Sequence, residues 1–346
     1  MKKPPTIRDV AREAGVSVAV VSRVINEGTG PVAPQTRERV LGTIEELGFR
    51  PRAAARSLVT GAATIGLILT DLANPFFARL ADRIVWEARS SGSQIVLMTT
   101  QEDAQLEREI LDRLQDRSVA AVIATPTGAN ADKWARLHDL GIHLPFVDRW
   151  IEGLGVDHVG IGNVESARVA TDHLLQQGHR RIGLISGPLT TSTGRERAEG
   201  YRAALADYDV PVAPELVQGV SFRGDAGSDA VGMLLNLPEP PTALVVANTA
   251  QVRNALRRLR DAGTSIPDEL SIIVFDDNPW TEVMTPPLSV VRPPVDMLAV
   301  HALEIVLSRL RGTATQEPRA IAVDAEFVPR GSSTPPLTAS PLRTVI

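Results

Sequence analysis

No cysteine occurs among the 346 residues. That excludes a disulfide scaffold, cysteine-ligated zinc, an iron–sulfur cluster and a thiol nucleophile. No apolar run approaches the ~20 residues a membrane span requires. The start, Met1-Lys2-Lys3-Pro4-Pro5, leads into a polar helical pattern and lacks the apolar stretch of a signal peptide. A cytoplasmic protein without a membrane partner is expected. The six histidines, His138, His143, His158, His173, His179 and His301, include no H-E-x-x-H pair for zinc. A G-x-S-x-G elbow and a P-loop are missing. Gly160-Ile161-Gly162 lacks the third glycine of a dinucleotide fingerprint. Asp276-Asp277 is an adjacent acid pair, but neighbours on a loop point apart more often than they converge on one substrate. An enzyme is therefore not expected, nor a metal or a cofactor.

A surplus of positive charge is also missing, with a net charge of −5. The distribution matters more than the total. Residues 1–60 carry ten basic and six acidic side chains, a surplus of four, which leaves the remainder at −9. A basic head on an acidic body points to a nucleic-acid module joined to something else.

The pattern inside the head agrees. Thr6 caps a helix with Asp9 in its first turn, and Ile7, Val10, Ala11 and Ala14 recur at helical spacing. Gly15 ends that helix, and Ser17 opens a second from Val18 to Ile25 with Val21, Val24 and Ile25 as its apolar face. Two short helices across a tight turn form a helix-turn-helix. A third spans about 34–47, with Val40, Leu41, Ile44 and Leu47 expected inside. In this geometry the start of the second helix meets base edges in the major groove. Ser17, Val18, Ala19 and Ser22 stand there, and the apolar pair suits thymine methyl groups. Arg23 suits a guanine or a phosphate.

From residue 64 the text changes. Thr64-Ile65-Gly66-Leu67-Ile68-Leu69 is a continuous apolar run of the kind found in buried parallel strands. Alternating helix and strand patterns follow to about Asp148, as in a doubly wound sheet. Then the pattern repeats: Arg181-Ile182-Gly183-Leu184-Ile185 echoes the first strand, and Thr242–Val246 echoes Val119–Ile123. Two such lobes in tandem place a ligand between them, beyond the carboxyl ends of the strands. Asp71, Phe76, Phe77, Asp148, Arg149, Trp150, Arg197, Asn248 and Asp276 fall at such ends. Carboxylates and guanidinium groups bind hydroxyls, and aromatic faces cover an apolar ring face. Trp150 and Trp280 are candidate stacking platforms.

The head resembles the lactose-repressor (LacI/GalR) family of bacterial regulators. The carrying residues are Thr6–Ala11, Ala14-Gly15-Val16-Ser17, Val21–Asn26, Thr36–Val40, Leu47–Pro51 and Ala55–Leu58. Asp71, Asn74–Phe77, Gly178–Ile182, Arg195-Glu196-Arg197, Phe275-Asp276-Asp277 and Pro286-Pro287-Leu288 extend the resemblance through the body. It implies a small all-α helix-turn-helix head with a hinge helix, and a two-lobed α/β periplasmic-binding-protein-like body with parallel sheets. The implied division is 1–50 head, 51–62 hinge and linker, 63–332 body, and 333–346 a disordered tail. Within the body the N-lobe takes 63–162 and 292–320, and the C-lobe 163–291 and 321–332. By the same resemblance Thr6, Asn26, Arg52 and Ala55 join the DNA contacts, and Leu58 is the minor-groove wedge. Arg197 and Asp276 become the effector's polar anchors, Phe76 and Phe77 flank it, and Thr191, Thr193, Phe222 and Asn248 complete the lining. One of the two phenylalanines is expected in the core and the other on the ligand. Several positions depart from the family pattern. Val18 and Val20 replace threonines, Arg52 replaces the asparagine after the hinge proline, and Ala33 replaces a capping serine. In the body Val274 replaces a glycine and Thr249 an acid.

The expected function is a ligand-responsive transcriptional regulator, a repressor, acting as a nucleoid-associated homodimer on a pseudo-palindromic double-stranded operator, with a carbohydrate as effector. A solute-binding protein of a sugar transporter is the alternative. It accounts for the two lobes but not for residues 6–58.

Overall fold

The computed structural model describes residues 6–26, 32–47, 63–114, 119–315 and 317–336, without the side chain of Asn26. The expected hinge, with Arg52, Ala55 and Leu58, lies outside the described residues.

In the head, α1 (Ile7–Glu13), α2 (Val18–Asn26) and α3 (Pro34–Leu47) pack Val10, Ala11, Ala14, Val21, Val24 and Val40 into one small core. Thr6 and Asp9 form a full capping box at the start of α1. Gly15 turns the chain at φ +62°, a conformation that side chains other than glycine rarely adopt. The third helix is rotated from the expected face. Leu41 is 48% exposed, and Thr43 is buried in its place. The Thr43 hydroxyl meets its hydrogen-bond need by donating to the Arg39 carbonyl at 2.9 Å.

The body holds two six-stranded sheets. The first lobe runs β1 (Thr64–Leu69), α4 (Pro75–Ser90), β2 (Gln94–Thr99), α5 (Ala104–Leu114), β3 (Ala121–Ala124), α6 (Ala131–Asp139), β4 (Phe146–Val147) and β5 (His158–Ile161). The second runs α7 (Asn163–Gln176), β6 (Ile182–Ser186), α8 (Ser192–Asp207), β7 (Val217–Gly219), α9 (Ala226–Leu235) and β8 (Ala243–Val246). It continues through α10 (Thr249–Asp261), β9 (Ser271–Phe275), α11 (Pro279–Val283) and β10 (Ser289–Arg292). Then α12 (Val295–Leu310) and β11 (Ala320–Val323) return to the first lobe, and β12 (Glu326–Val328) to the second. The sheet orders are β11-β5-β4-β3-β1-β2 and β12-β10-β9-β8-β6-β7. The two orders match strand for strand, which is the structural form of the sequence echo. All pairings are parallel except β10 with β12. Parallel strands covered on both faces are apolar throughout, and β1, β3, β6, β8 and β9 are buried almost without a break.

Two expected boundaries move. Residues 321–323 belong to the first sheet, because Ala320–Val323 pair in register with His158–Ile161. The last crossing between lobes therefore falls at 324–325. Arg292, assigned to the N-lobe from sequence, ends β10 in the second sheet opposite Glu326. The tail also begins later than 333. Ser332 Oγ donates to the Ile272 carbonyl at 2.6 Å, Ser333 Oγ meets Ser289 Oγ at 2.7 Å, and the Thr334 carbonyl accepts from Ser271 Oγ at 2.9 Å. Serine and threonine read as loop composition, but here they tie the chain to the open ends of β9 and β10.

Candidate effector pocket and DNA-facing helix

The carboxyl ends of both sheets face one cleft. Four elements deliver the polar groups. The turn after β4 carries Asp148 and Arg149, the turn after β9 carries Asp276, α8 carries Thr193 and Arg197, and Asn248 caps α10. From the N-lobe, Asn74 caps α4 through its Oδ1 and so sets Phe76 and Phe77 at the helix start. All of these, with Asp71, Glu102, Ile161 and Phe222, surround one inner pocket with about 40 Å³ of free space.

Arg197 is its centre. The residue is 9% exposed, and its guanidinium lies 4.4 Å from the Phe275 ring centre. Its Nε donates to Asn163 Oδ1 at 2.8 Å and its Nη1 to the Ala247 carbonyl at 2.6 Å. Asn163 is itself turned by Glu196, which accepts from its amide at 3.0 Å. Asp148 and Asp276 flank this cation. Both sit at φ +69°, a strained setting for a residue with a side chain. Neither carboxylate accepts a hydrogen bond among the described residues; the nearest cation to Asp148 is Arg149 Nε at 3.7 Å. Burial pushes Asp276 up to about 7, opposed by Arg197 and assisted by the Asp148 charge. Burial likewise raises Asp148, against the pull of Arg149 and Arg197.

The roof is built across the cleft. Arg149 makes a two-pronged ion pair with Glu102, at 2.8 and 2.7 Å, and lies 4.0 Å from the centre of the Phe222 ring. The tip of the ring, at Cζ, closes on Gly187, where an added Cβ would clash with it. Phe222 of the C-lobe is thus held between a glycine of its own lobe and a guanidinium of the other. Glu102 is the site residue that sequence reading missed, and Arg149 was noted only for its place at a strand end. The partners are 47 residues apart, so no local pattern links them.

The structure brings Asp71, Phe76, Phe77, Asp148, Thr193, Arg197, Phe222, Asn248 and Asp276 together on the inner pocket. Phe76 and Phe77 do not divide between core and ligand as expected. They meet edge to face at 5.0 Å, both are buried, and both reach the pocket. Three residues stand elsewhere. Thr191 caps α8, accepting from Gly194 N at 3.2 Å and donating to the Pro188 carbonyl at 2.7 Å. Trp150 lies on a neighbouring pocket, stacked on His158 at 5.5 Å. It bonds across the lobes, from its amide to Ser192 Oγ at 3.1 Å and from Nε1 to Glu196 at 2.9 Å. Trp280 lines an outer groove of about 1400 Å³.

In the head, Ser17, Val18, Ala19 and Arg23 are exposed at and along α2, with Val18 at 42%. Ser22 is half-buried. The Thr6 hydroxyl is engaged by Asp9, at 2.7 Å from Oδ2.

A helix-turn-helix head and a two-lobed body with a polar pocket between its lobes define a regulator that reads DNA and answers to a small molecule. Comparison with known proteins agrees. Residues 6–52 match the family described as "Bacterial regulatory proteins, lacI family", and residues 171–333 match "Periplasmic binding protein-like domain". The HTH-type transcriptional repressor PurR of Actinobacillus pleuropneumoniae serotype 3 is 31% identical over 329 residues, covering 94% of this chain and 98% of that protein. The regulator DegA of Bacillus subtilis is 31% identical over 95% of the chain and 98% of its own. A CelR–cellobiose complex superposes with a TM-score of 0.72 at 29% identity, over 95% and 99% of the two chains. The lac repressor dimer bound to operator, at 23% identity and a TM-score of 0.70, shares the fold. The chain belongs to the lacI family of bacterial regulatory proteins. It is a DNA-binding transcriptional repressor with an effector-binding body, and not an enzyme. The transporter reading fails on residues 6–52, which match the family's DNA-binding domain.

Proposed function

We propose that the effector is a polyhydroxylated molecule, a carbohydrate, bound in the inner pocket, and that it changes the affinity of a homodimer for a pseudo-palindromic operator. One observation carries this reading. Asp148 and Asp276 line the pocket as acceptors to which no described residue donates a hydrogen bond, beside two arginines and three phenylalanine rings. Hydroxyl groups supply the donors, and the rings cover the apolar face of a sugar. The cellobiose-bound CelR structure supports the same class. The response is linkage: the effector binds one arrangement of the lobes more tightly and shifts the population toward it. Val18 and Ala19 read thymine methyl groups, Ser17, Ser22 and Arg23 add polar contacts, and Leu58 acts as the minor-groove wedge. The site of action is the cytoplasm.

The test is a thermal-shift screen of sugars and nucleobases, each hit followed by operator binding with and without it. A sugar that raises the melting temperature and changes operator affinity supports the reading. A nucleobase as the responding ligand, with no response to any sugar, overturns the carbohydrate class.

A further inference from the structure

Glu196 is a carboxylate at the meeting of the lobes that holds no ion pair among the described residues. Both of its oxygens are taken by neutral donors instead. Trp150 Nε1, from the turn after β4, donates to Oε1 at 2.9 Å. Asn163 Nδ2, at the start of α7, donates to Oε2 at 3.0 Å. The backbone amide of Trp150 also reaches Ser192, one turn earlier on α8, so the residue grips one face of that helix twice. Arg195 lies over the Trp150 ring at 5.9 Å, but its own ion pair goes to Glu152.

This arrangement has a direction. A side-chain amide has one accepting end and one donating end. Nδ2 of Asn163 is held by Glu196 and, at 3.3 Å, by the Ile161 carbonyl. Its oxygen therefore faces the other way, toward Arg197 Nε at 2.8 Å. A flipped amide would set two donors against each other at that place. Asn163 is 4% exposed, so water does not relieve such a mismatch. Arg197 Nη1 is held by the Ala247 carbonyl. Two of the three guanidinium nitrogens are thereby fixed. Nη2, which makes no hydrogen bond among the described residues, is left for the pocket.

We propose that Glu196 is the positioning residue for Arg197: through the sense of the Asn163 amide it fixes which guanidinium edge meets the effector. The functional part rests on Arg197 being the effector's anchor, but the relay exists without ligand. A carboxylate is required at 196 because it accepts at both ends, whereas an amide accepts at one. Glutamine there must either set a donor against the Trp150 indole or turn the Asn163 amide over and release Arg197. Moving the carboxylate one step along the relay resolves the conflict. In Glu196→Gln combined with Asn163→Asp, the new glutamine accepts from Trp150 and donates to the new aspartate. The second oxygen of that aspartate accepts from Arg197 Nε. Net charge is unchanged, and only the 3.3 Å contact to Ile161 is given up.

The test needs no ligand. Nitrogen-15 spectra of the full-length protein show one indole N–H signal for each of the four tryptophans, together with slowly exchanging arginine Nε–H signals. Trp150→Phe and Arg197→Met identify the two that matter. Glu196→Gln should displace at least one of them, with exchange against water about tenfold faster at that N–H. Adding Asn163→Asp should restore both. The indole signals of Trp86, Trp134 and Trp280 should stay in place throughout, which a general loosening of the fold would not allow. Both signals unchanged in Glu196→Gln, or either still displaced in the double variant, overturns the proposal. If the double variant does not fold, Glu196→Ala decides: an Arg197 signal that persists with wild-type exchange overturns the relay, and its loss supports it. A sugar screen without a hit would strike the carbohydrate reading and leave these outcomes standing.

Discussion

Arg197 meets two demands that pull in different directions. In the proposed site it is a donor for the ligand, and it is the cation that faces two pocket carboxylates. Arg197→Met removes both functions while keeping an unbranched stem. The expected outcome is loss of the effector response with basal operator binding retained, checked by operator titration with the screened ligand. The body should also lose about 3 kcal/mol, since removing one partner leaves buried charge uncompensated. That loss should grow as pH rises, because a carboxylate whose folded pKa is raised contributes less stability at higher pH; urea unfolding at pH 6 and pH 8 checks it. At this scale the sequence was legible where a residue type and a strand end coincide, as for Asp148 and Asp276, whereas Arg197, inside α8, and Phe222 were placed by the family resemblance. It was not legible where the partner comes from a distant loop, as Glu102 does for Arg149. Trp150 shows the limit of residue type alone: an indole that suits a sugar is used as a bond between lobes.

At the scale of elements, the site depends on how closely helices and crossings approach. Gly200 on α8 lies against α7, and an added Cβ would sit 2.0 Å from the Val164 carbonyl oxygen. A backbone atom cannot step aside as a side chain can. Gly200→Ala should therefore push α8 outward, taking Thr193 and Arg197 with it. The expected cost is about 2 kcal/mol or more, measured by urea unfolding, with weakened effector binding. Asp277 ties the crossings to the pocket. It accepts from Arg292 at 2.8 Å, from Arg330 at 2.9 and 2.8 Å, and from Thr281 at 2.6 Å. Those bonds hold its carboxyl down at about 2. Its contribution is present above the ordinary value of 3.8 and fades as pH falls toward 2. Asp277→Asn should cost about 3 kcal/mol near neutral pH and progressively less below pH 4; acid titration of both proteins checks the convergence. The order of elements was readable because parallel βα units leave apolar runs at regular intervals. The last crossing was not. Ala320–Val323 is short and mildly apolar, and nothing in it distinguishes the edge of one sheet from the edge of the other. Register with His158–Ile161 decides it.

For the whole molecule, the proposed homodimer requires that two bodies pair, and the body offers an edge for it. β2 ends the first sheet's order, so among the described residues one of its sides has no strand neighbour. Edge strands of monomeric proteins are usually blunted by charge. This one carries Val96 and Leu97, 36% and 40% exposed, and the adjacent α4 adds Trp86 at 61%. A polar face would be expected there if water covered it. In the proposed homodimer, two copies meeting along this edge would hide the apolar groups and present the same patch from each side, as a two-fold axis demands. Leu97→Glu places a negative charge on each side of that axis, where the two charges face one another. The expected result is a shift from dimer to monomer in analytical ultracentrifugation with the body still folded by circular dichroism. Operator affinity should fall at the same time, because a monomer engages only one half-site and loses the gain from binding two. A variant that stays dimeric and binds the operator normally would place the pairing surface elsewhere on the body.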